Sequence, residues 1–165
     1  AYVSRAYMMY KDKGYSERIF RLYKKVFSRR NLLIVEGEYT RNGCGNDLFC
    51  LAKSVRRILC PDNNCYEVYD NIYRAVICEA KLDDLILITL GSTATILAFD
   101  LANAGYQAID LGQLDNEYEW YLRKSKKIEP IAGKTVSDVL VDNHLINVDK
   151  DEKYESEIIL RIKGN

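Results

Sequence analysis

Histidine, net charge and long apolar runs are scarce in this sequence of 165 residues. The one histidine is His144, which excludes sites that need several histidines, and no Ser or Cys nucleophile pattern accompanies it. Lys plus Arg number 24 and Asp plus Glu number 24, and this zero net charge argues against a dedicated nucleic-acid binder. No apolar run approaches the roughly 18 residues that span a bilayer, so we expect no transmembrane segment.

Cysteines at metal-binding spacing are also absent. The five cysteines are odd in number, and none of their spacings matches a zinc pattern such as C-x2-C. They are typical of reduced thiols in a cytosolic protein, and no leader-like stretch follows Ala1, so we expect a cytoplasmic location. A first residue other than Met indicates a fragment or a processed form.

Apolar residues recur with helical spacing in some segments and form continuous runs in others. Residues 16–29 predict a helix, and the run at residues 32–35 predicts a strand buried on both faces. The stretch "TRNGCGNDLFCLAKSVRR" then predicts a glycine-bearing loop and a helix capped at Asn46 or Asp47. Further strands are predicted in "RILC", "DDLILITLG" and "YQAIDLG", and further helices in "YEVYDNIYRAVICEA", "STATILAFDLANAG" and "QLDNEYEWYLRK".

This alternation of strands and helices predicts an α/β protein. We expect a Rossmann-like, mainly parallel sheet with helices on both faces, in a single domain over residues 1–165. Residues 129–165 have a weaker pattern, which predicts a loop-rich C-terminal tail with a last helix around Tyr154, Ile158 and Ile162. In such sheets the loops that follow the strands meet at one edge, where ligands bind.

The first loop at this edge has the composition of a phosphate site. Its two glycines would let the backbone approach a ligand closely, and the start of the next helix offers free N–H groups. Its arginine could add a bidentate contact to phosphate. The alternative is a simple tight turn, because the spacing matches neither G-x-G-x-x-G nor a Walker A loop. The candidate nucleotide- or phosphate-binding residues are Glu36, Glu38, Arg41, Gly43, Gly45, Asn46 and Asp47.

A second loop, "TLGSTATIL", follows the strongest strand. Gly91, Ser92 and Thr93 lie at the start of the next helix, where hydroxyl and N–H groups suit a diphosphate. Plain capping of the helix is the alternative. The sequence alone does not distinguish a phosphate site from a cap at this position.

The third stretch, "QLDNEYEWYL", gathers three carboxylates just past a strand. Mg²⁺ and Mn²⁺ prefer one or two carboxylates together with phosphate oxygens, so Asp115 and Glu117 are candidate metal ligands. Tyr118 and Trp120 could offer flat faces to a sugar or a base. The alternative is an acidic first helical turn that complements the helix dipole, with both aromatic side chains in the core.

Several long motifs resemble one known family. The segments "SRAYMMYKDK", "LLIVEGEYTRNGCGNDLF", "RRILCP" and "LILITLGSTATILAFDLANAGYQAIDLGQLDNEYEW" are similar to the GT-D-type glycosyltransferase domain. The resemblance runs in order from about residue 4 to about residue 140. That family is associated with building glycans on serine-rich surface adhesins of bacteria.

The resemblance implies a Rossmann-like fold and a metal-dependent glucosyltransferase. Glucose would pass from UDP-glucose to a growing glycan, with Mn²⁺ or Mg²⁺ neutralising the UDP leaving group. The family needs a D-x-E carboxylate pair for activity, and here Asp115 and Glu117 fit that pattern, with Glu119 as a neighbouring catalytic candidate. The implied partners are a UDP-sugar donor and a glycan acceptor on a glycoprotein, and a homo-oligomer is compatible with the sequence.

Two departures from the family pattern keep a second interpretation open. Relatives usually carry His where this chain has Gln113, which can hydrogen-bond a phosphate but cannot carry charge. Relatives also begin earlier, with an R-F-G-D-G-E-like segment whose D-G-E is another candidate for the family's D-x-E. These departures favour a non-catalytic sugar-nucleotide or glycan-binding module that assists another transferase. A methyltransferase, which also uses a glycine loop and acidic strand ends, is a third alternative.

Overall fold

Five β-strands form the centre of the computed structural model, which describes residues 5–137, 139 and 151–164. His144 lies outside these described residues. Every pair of neighbouring strands is parallel. The strands are β1 (Asn31–Gly37), β2 (Ser54–Cys60), β3 (Asp84–Thr89), β4 (Gln107–Asp110) and β5 (Ile158–Arg161), in the sheet order β4-β3-β1-β2-β5.

Helices cover both faces of this sheet. They are α1 (Gly14–Phe27), α2 (Tyr69–Glu79), α3 (Ser92–Asn103), α4 (Leu114–Arg123) and α5 (Glu152–Glu157), with a 3-10 turn at Cys65–Val68. Helices α1 and α4 pack on one face with Leu32 and Ile34 of β1. Helices α2 and α3 pack on the other face with Leu33 and Val35. Side chains of a strand alternate between faces, so one apolar run serves both cores and the predicted Rossmann-like α/β fold is confirmed.

No helix within the described ranges has both the length and the apolar character that crossing a membrane requires. The longest of the five helices there, α1, has 14 residues and only three of them are buried. Its exposed positions include the charged side chains Glu17, Arg18, Arg21 and Lys25, which suits a helix that packs one face on a sheet. These helices are therefore the covering layers of the sheet.

The prediction of a helix between β1 and β2 is wrong. Residues 38–53 form turns that end where β2 begins. This crossover must bring the chain back beside β1. The Lys53 N–H donates to the Arg30 carbonyl at 2.9 Å, so the chain already pairs with the residue before β1 when β2 begins. Asn46 and Asp47 therefore cap no helix, and this loop presents no helix N-terminus to a phosphate.

The helix predicted near the C-terminus is only partly correct. Helix α5 ends at Glu157, and the residues from Ile158 onward form β5 beside β2. The Ile162 N–H donates to the Leu59 carbonyl at 2.7 Å, and Leu160 and Ile162 pack on the same core as α2 and α3. Apolar side chains two residues apart, with β-branched isoleucines among them, favour a strand over a helix here.

Two glycines in the loop between β1 and β2 differ in their surroundings. Gly43 and Gly45 both have positive φ, at 74° and 76°. A Cβ on Gly43 would lie 2.4 Å from Phe49 Cδ2, whereas a Cβ on Gly45 would meet no atom within 4 Å. Gly43 is therefore required both by the backbone conformation and by tight packing, whereas Gly45 is required by the backbone conformation alone.

We expect Gly43→Ala to lower the free energy of unfolding by about 3 kcal/mol, which combines left-handed backbone strain with overpacking against Phe49. Gly45→Ala is the matched control and should cost about 1 to 2 kcal/mol, because only the backbone strain applies. Urea denaturation of both variants measures the difference. Equal losses in the two variants would contradict the tight packing of Gly43.

Candidate functional site

A cleft opens at the carboxyl ends of the strands. The strand order reverses between β1 and β3, because the chain passes from β1 to β2 on one side and from β3 to β4 on the other. Open α/β sheets bind ligands at such a reversal. The cleft encloses about 320 Å³, which is the size of a small-molecule site. Its polar lining consists of the amides Asn42, Asn63, Gln113 and Asn116, the hydroxyls Thr40, Thr89, Thr135 and Ser137, and the carboxylate Asp62.

The lining of the cleft carries little charge. Among the described residues that form it, Asp62 has the one ionisable side chain. Asn42 is held in place, because its backbone N–H donates to Glu36 at 2.7 Å and its amide donates to Thr89 at 3.0 Å. Gln113 Oε1 is buried and has no hydrogen-bond partner among the described residues. The Gln113 side chain as a whole belongs to the lining of the cleft.

Two helices begin at the cleft. Gly91 is the N-cap residue of α3 and Gly112 lies just before α4, and both glycines line the cleft with positive φ. Free N–H groups and partial positive charge at a helix N-terminus attract phosphate. Ser92 is exposed in the first turn of α3, whereas Thr93 is buried. The structure thus brings the second predicted loop together with Gln113, the N-cap residue of α4.

Asp62 is a cleft residue that the sequence interpretation missed, because "PDNN" was assigned only to a turn. It follows the end of β2, and Thr135 Oγ1 donates to its Oδ1 at 3.3 Å. Burial raises the pKa of Asp62, although hydrogen bonds from Thr135 and from the Tyr39 backbone act against this rise. A carboxylate shortly after the second strand of a nucleotide-binding sheet is a positional signal that could have identified it.

The two glutamates near the end of β1 have different environments. Glu36 is fully buried, and its carboxylate accepts hydrogen bonds from Arg57 at 2.6 Å and from the Tyr154 hydroxyl at 3.0 Å. These contacts join β1, β2 and α5. Glu38 is exposed and lies 3.8 Å from Arg161. Neither glutamate lines the cleft, so their predicted role in nucleotide binding stays a prediction, and Glu36 acts on the cleft through Asn42.

Arg41 and Asp47 also lie outside the lining of the cleft. Arg41 is buried, with its guanidinium carbon 5.1 Å from the centre of the Tyr154 ring. Asp47 accepts hydrogen bonds from Lys24 at 2.7 Å and from the Tyr118 hydroxyl at 2.5 Å. Phosphate binding by Arg41 stays a prediction, and the geometry favours a structural role for both side chains.

A buried charge cluster joins the loop after β1 to α4. Asp115 accepts hydrogen bonds from the Gly43 N–H and the Asn46 amide, both at 2.8 Å. Lys134 Nζ lies 2.6 Å from Asp115 and 3.1 Å from Glu119. Burial by itself lowers the pKa of Lys134, but the two carboxylate charges outweigh burial and leave the pKa raised. One buried cation therefore serves two buried carboxylates that are one helical turn apart.

Glu117 lies on a different side of α4. Its carboxylate accepts hydrogen bonds from the N–H groups of Tyr7 at 2.8 Å and Met8 at 2.7 Å, and Arg5 lies 3.5 Å away. Residues two apart in a helix do not face each other, so Asp115 and Glu117 do not fit a shared divalent cation. Across the part of the chain that the structure describes, no group of three or more His, Cys, Asp or Glu side chains is placed to hold a metal ion.

The aromatic residues between these carboxylates belong to the core. Trp120 is fully buried, and its indole N–H donates to the Glu129 carbonyl at 3.0 Å. The Tyr118 ring is buried with its centre 4.8 Å from that of Phe20. The structure therefore agrees with the alternative of an acidic first helical turn above core aromatics, and neither ring faces the cleft.

We expect Lys134→Met to lower the free energy of unfolding by about 3 to 5 kcal/mol, because it leaves buried carboxylates without their cation. Arg123→Met is the control, since it removes an exposed partner of Glu119 and should cost at most about 1 kcal/mol. Chemical denaturation at neutral pH measures both losses. A loss for Lys134→Met no larger than that for Arg123→Met would show that the cluster does not stabilise the fold.

Comparisons with known proteins agree with this fold. The family described as the glycosyltransferase GT-D fold matches residues 1–139. The chain is 37% identical over 161 residues to glycosyltransferase GlyD of Streptococcus pneumoniae and 39% identical over 162 residues to a probable glycosyl transferase Gly of Streptococcus gordonii. Each match covers 98% of this chain but 20% and 23% of the two relatives, so the chain spans about a fifth of their length.

Solved structures share the same architecture. One, described as the domain of unknown function 1792 with a distinct glycosyltransferase fold, has a TM-score of 0.92 and 41% identity, covering 97% of this chain and 57% of that chain. Another, described as a new glycosyltransferase from Streptococcus sanguinis, has a TM-score of 0.88 and 36% identity, covering 97% and 59%. With the fold, the cleft and the sequence motifs in agreement, this chain belongs to the glycosyltransferase GT-D fold family.

Proposed function

We propose that the cleft binds a UDP-sugar, with UDP-glucose as the donor that the family resemblance favours, and that the chain transfers the sugar to a glycan acceptor. The strongest support is the position of a polar, weakly charged cleft at the strand reversal, bordered by the N-termini of α3 and α4. The similarity to streptococcal proteins described as glycosyltransferases supports this class of reaction. The resemblance further favours a glycan on a serine-rich surface protein as the acceptor.

The diphosphate of the donor is proposed to lie against the two helix N-termini. No Lys or Arg belongs to the described lining of the cleft, so backbone N–H groups and helix dipoles supply the local attraction for phosphate. Gly91 and Gly112 carry no side chain that would cover the backbone there. Gln113 belongs to the lining of the cleft, and its amide N–H groups can donate to a phosphate oxygen.

Sugar transfer requires that the negative charge developing on the departing diphosphate be stabilised in the same region. The bond between sugar C1 and the diphosphate oxygen breaks, and UDP leaves with the bonding electrons. The acceptor hydroxyl oxygen forms the new bond to C1 and releases its proton to water, so that the products are UDP, the extended glycan and one proton. Helix N-termini beside the diphosphate stabilise the negative charge that develops on the leaving group, which lowers the barrier.

A divalent cation, Mn²⁺ or Mg²⁺, belongs to this proposal through the family resemblance. When bound, such an ion neutralises the UDP leaving group. Asp115 and Glu117 do not fit as its paired ligands, because Asp115 is bonded to Lys134 and Glu117 to the backbone at Tyr7 and Met8. No step is therefore assigned to these two carboxylates, and the catalytic role predicted for them and for Glu119 stays a prediction.

A non-catalytic sugar-nucleotide or glycan-binding module is the second candidate. The presence of Gln113 where relatives usually carry His favours it, because a glutamine amide neither gains nor releases a proton at neutral pH. The hydrogen-bonding capacity needed to bind a donor is kept. The two candidates therefore agree on UDP binding and differ on sugar transfer.

We expect calorimetric titration to show that UDP binds this chain and that S-adenosylmethionine does not. Gln113→Ala should weaken UDP binding by about 0.5 to 1.5 kcal/mol, because it removes hydrogen bonds between the cleft and the ligand. Gln107→Ala is the matched control, since Gln107 lies on the exposed strand β4 and bonds Arg30 outside the cleft. Equal affinities of the two variants for UDP would contradict a role for Gln113.

Repeating the UDP titration with Mn²⁺ tests whether donor binding involves a divalent cation. Measuring the release of UDP from UDP-glucose in the presence of a glycan acceptor tests whether the chain transfers the sugar. Absence of UDP binding with and without Mn²⁺ would contradict the donor site. Binding without release would identify the binding module. Gln113→His should then increase the release of UDP if a charged side chain at this position is what transfer lacks.

A further inference from the structure

We propose that Asp62 binds the vicinal hydroxyls of the donor's ribose and makes the cleft selective for ribonucleotides over deoxyribonucleotides. This inference rests on the proposed nucleotide-sugar site and identifies its ribose subsite. Asp62 lies outside all the loops in which the sequence predicted ligand contacts. It is nevertheless the one carboxylate in the described lining of the cleft.

The position of Asp62 in the sheet corresponds to that of a ribose-binding carboxylate. Asp62 lies two residues after Cys60, the last residue of β2, and β2 pairs with the central strand β1. In dinucleotide-binding sheets an acidic side chain about 20 residues beyond the first strand-to-helix turn hydrogen-bonds the ribose, and Asp62 has a comparable place beyond Gly37. A Cβ on Gly37 would lie 3.0 Å from Thr40 Oγ1 and 3.2 Å from Asp62 Oδ1, so glycine lets the end of β1 pack closely against the Asp62 carboxylate and fixes its place at the cleft.

The distribution of charge across the cleft orients the nucleotide. Helices α3 and α4 follow β3 and β4 on one side of β1, whereas Asp62 follows β2 on the other side. Neighbouring strands are about 4.8 Å apart, so the ends of β2 and β3 are separated by about 10 Å. A diphosphate is attracted to the helix N-termini and repelled by the carboxylate. The ribose, rather than the diphosphate, therefore lies beside Asp62.

Hydrogen-bond chemistry selects the ribose hydroxyls over the base. An ionised carboxylate only accepts hydrogen bonds, and two vicinal hydroxyls present two donors to its two oxygens. Uracil presents one N–H between two carbonyl oxygens, which a carboxylate repels. Thr135 Oγ1 donates to Asp62 Oδ1 at 3.3 Å, so the carboxylate has a defined orientation before a ligand arrives.

The test compares UDP with 2′-deoxy-UDP by calorimetric titration into this chain and into Asp62→Ala. We expect the unchanged chain to bind UDP at least about tenfold more tightly than 2′-deoxy-UDP, because 2′-deoxy-UDP lacks the 2′-hydroxyl and its hydrogen bond to the charged Asp62 carboxylate. In Asp62→Ala the ratio should fall to roughly twofold or less. The ratio is the readout because removal of a negative charge alters the attraction for both diphosphates alike.

Two further variants serve as controls. Glu67→Ala removes an exposed carboxylate from the 3-10 turn after the same strand, outside the cleft, and should keep the tenfold ratio. Asp62→Asn retains one acceptor oxygen in a side chain of the same shape and should give an intermediate ratio. Thermal unfolding of each variant establishes that it is folded, and Asp62→Asn provides the measurement if Asp62→Ala is not.

The outcomes separate the ribose subsite from the donor site. A ratio that is unchanged in the folded Asp62 variants overturns the role of Asp62 and leaves the donor site intact. Equal binding of UDP and 2′-deoxy-UDP to the unchanged chain overturns the ribose subsite in the same way. Absence of UDP binding to the unchanged chain overturns the proposed donor site itself, together with its ribose subsite.

Discussion

The ion pair between Lys134 and the carboxylates of α4 is the constraint on which the shape of the cleft depends. Asp115 and Glu119 are buried near the start of this helix, and buried carboxylates cost several kcal/mol unless a cation and hydrogen-bond donors satisfy them. Lys134 supplies the cation, and the Asn46 amide donates to both carboxylates. The loop after β1 and the chain around residue 134 are thereby attached to the start of α4, which fixes one helix N-terminus at the cleft.

A second buried pair fixes the other side of the same edge. Arg57 from β2 bonds Glu36 from β1, and the Tyr154 hydroxyl adds a third element to the pair. Burial by itself lowers the pKa of Arg57, but Glu36, Tyr154 and Glu157 together outweigh burial and leave the pKa raised. Glu36 in turn accepts a hydrogen bond from the backbone N–H of Asn42, and Asn42 lines the cleft. Buried charged side chains at the strand ends therefore hold the cleft residues in position, whereas amides, hydroxyls and Asp62 form the surface of the cleft itself.

The sequence predicts this fold well where one signal dominates and less well where signals compete. The continuous apolar runs at residues 32–35 and 85–88 favour strands, and the structure has the buried strands β1 and β3 there. The crossover after β1 was assigned a helix because its composition suits one, but the return of the chain to β2 decides its structure. In α4, the two-residue spacing of Asp115 and Glu117 already places them on different sides of a helix. The pairing with Lys134, far along the chain, has no local signal, and it determines where these carboxylates point.

Nucleotide binding and sugar transfer make different demands on this cleft. Binding needs donors for phosphate and acceptors for hydroxyl groups, and the amides and helix N-termini at the edge of the sheet provide both. Transfer additionally needs compensation for charge on the leaving diphosphate and an acceptor for the proton of the attacking hydroxyl. Gln113 lies on the α4 side, so its difference from the His that the family resemblance implies would bear on charge beside the proposed diphosphate. Asp62 lies across β1 on the β2 side, beside the ribose in the proposed orientation. In the proposed orientation the requirements of affinity and turnover would be separated in space, so a substitution on the α4 side would reduce transfer while the ribose side continued to hold the nucleotide.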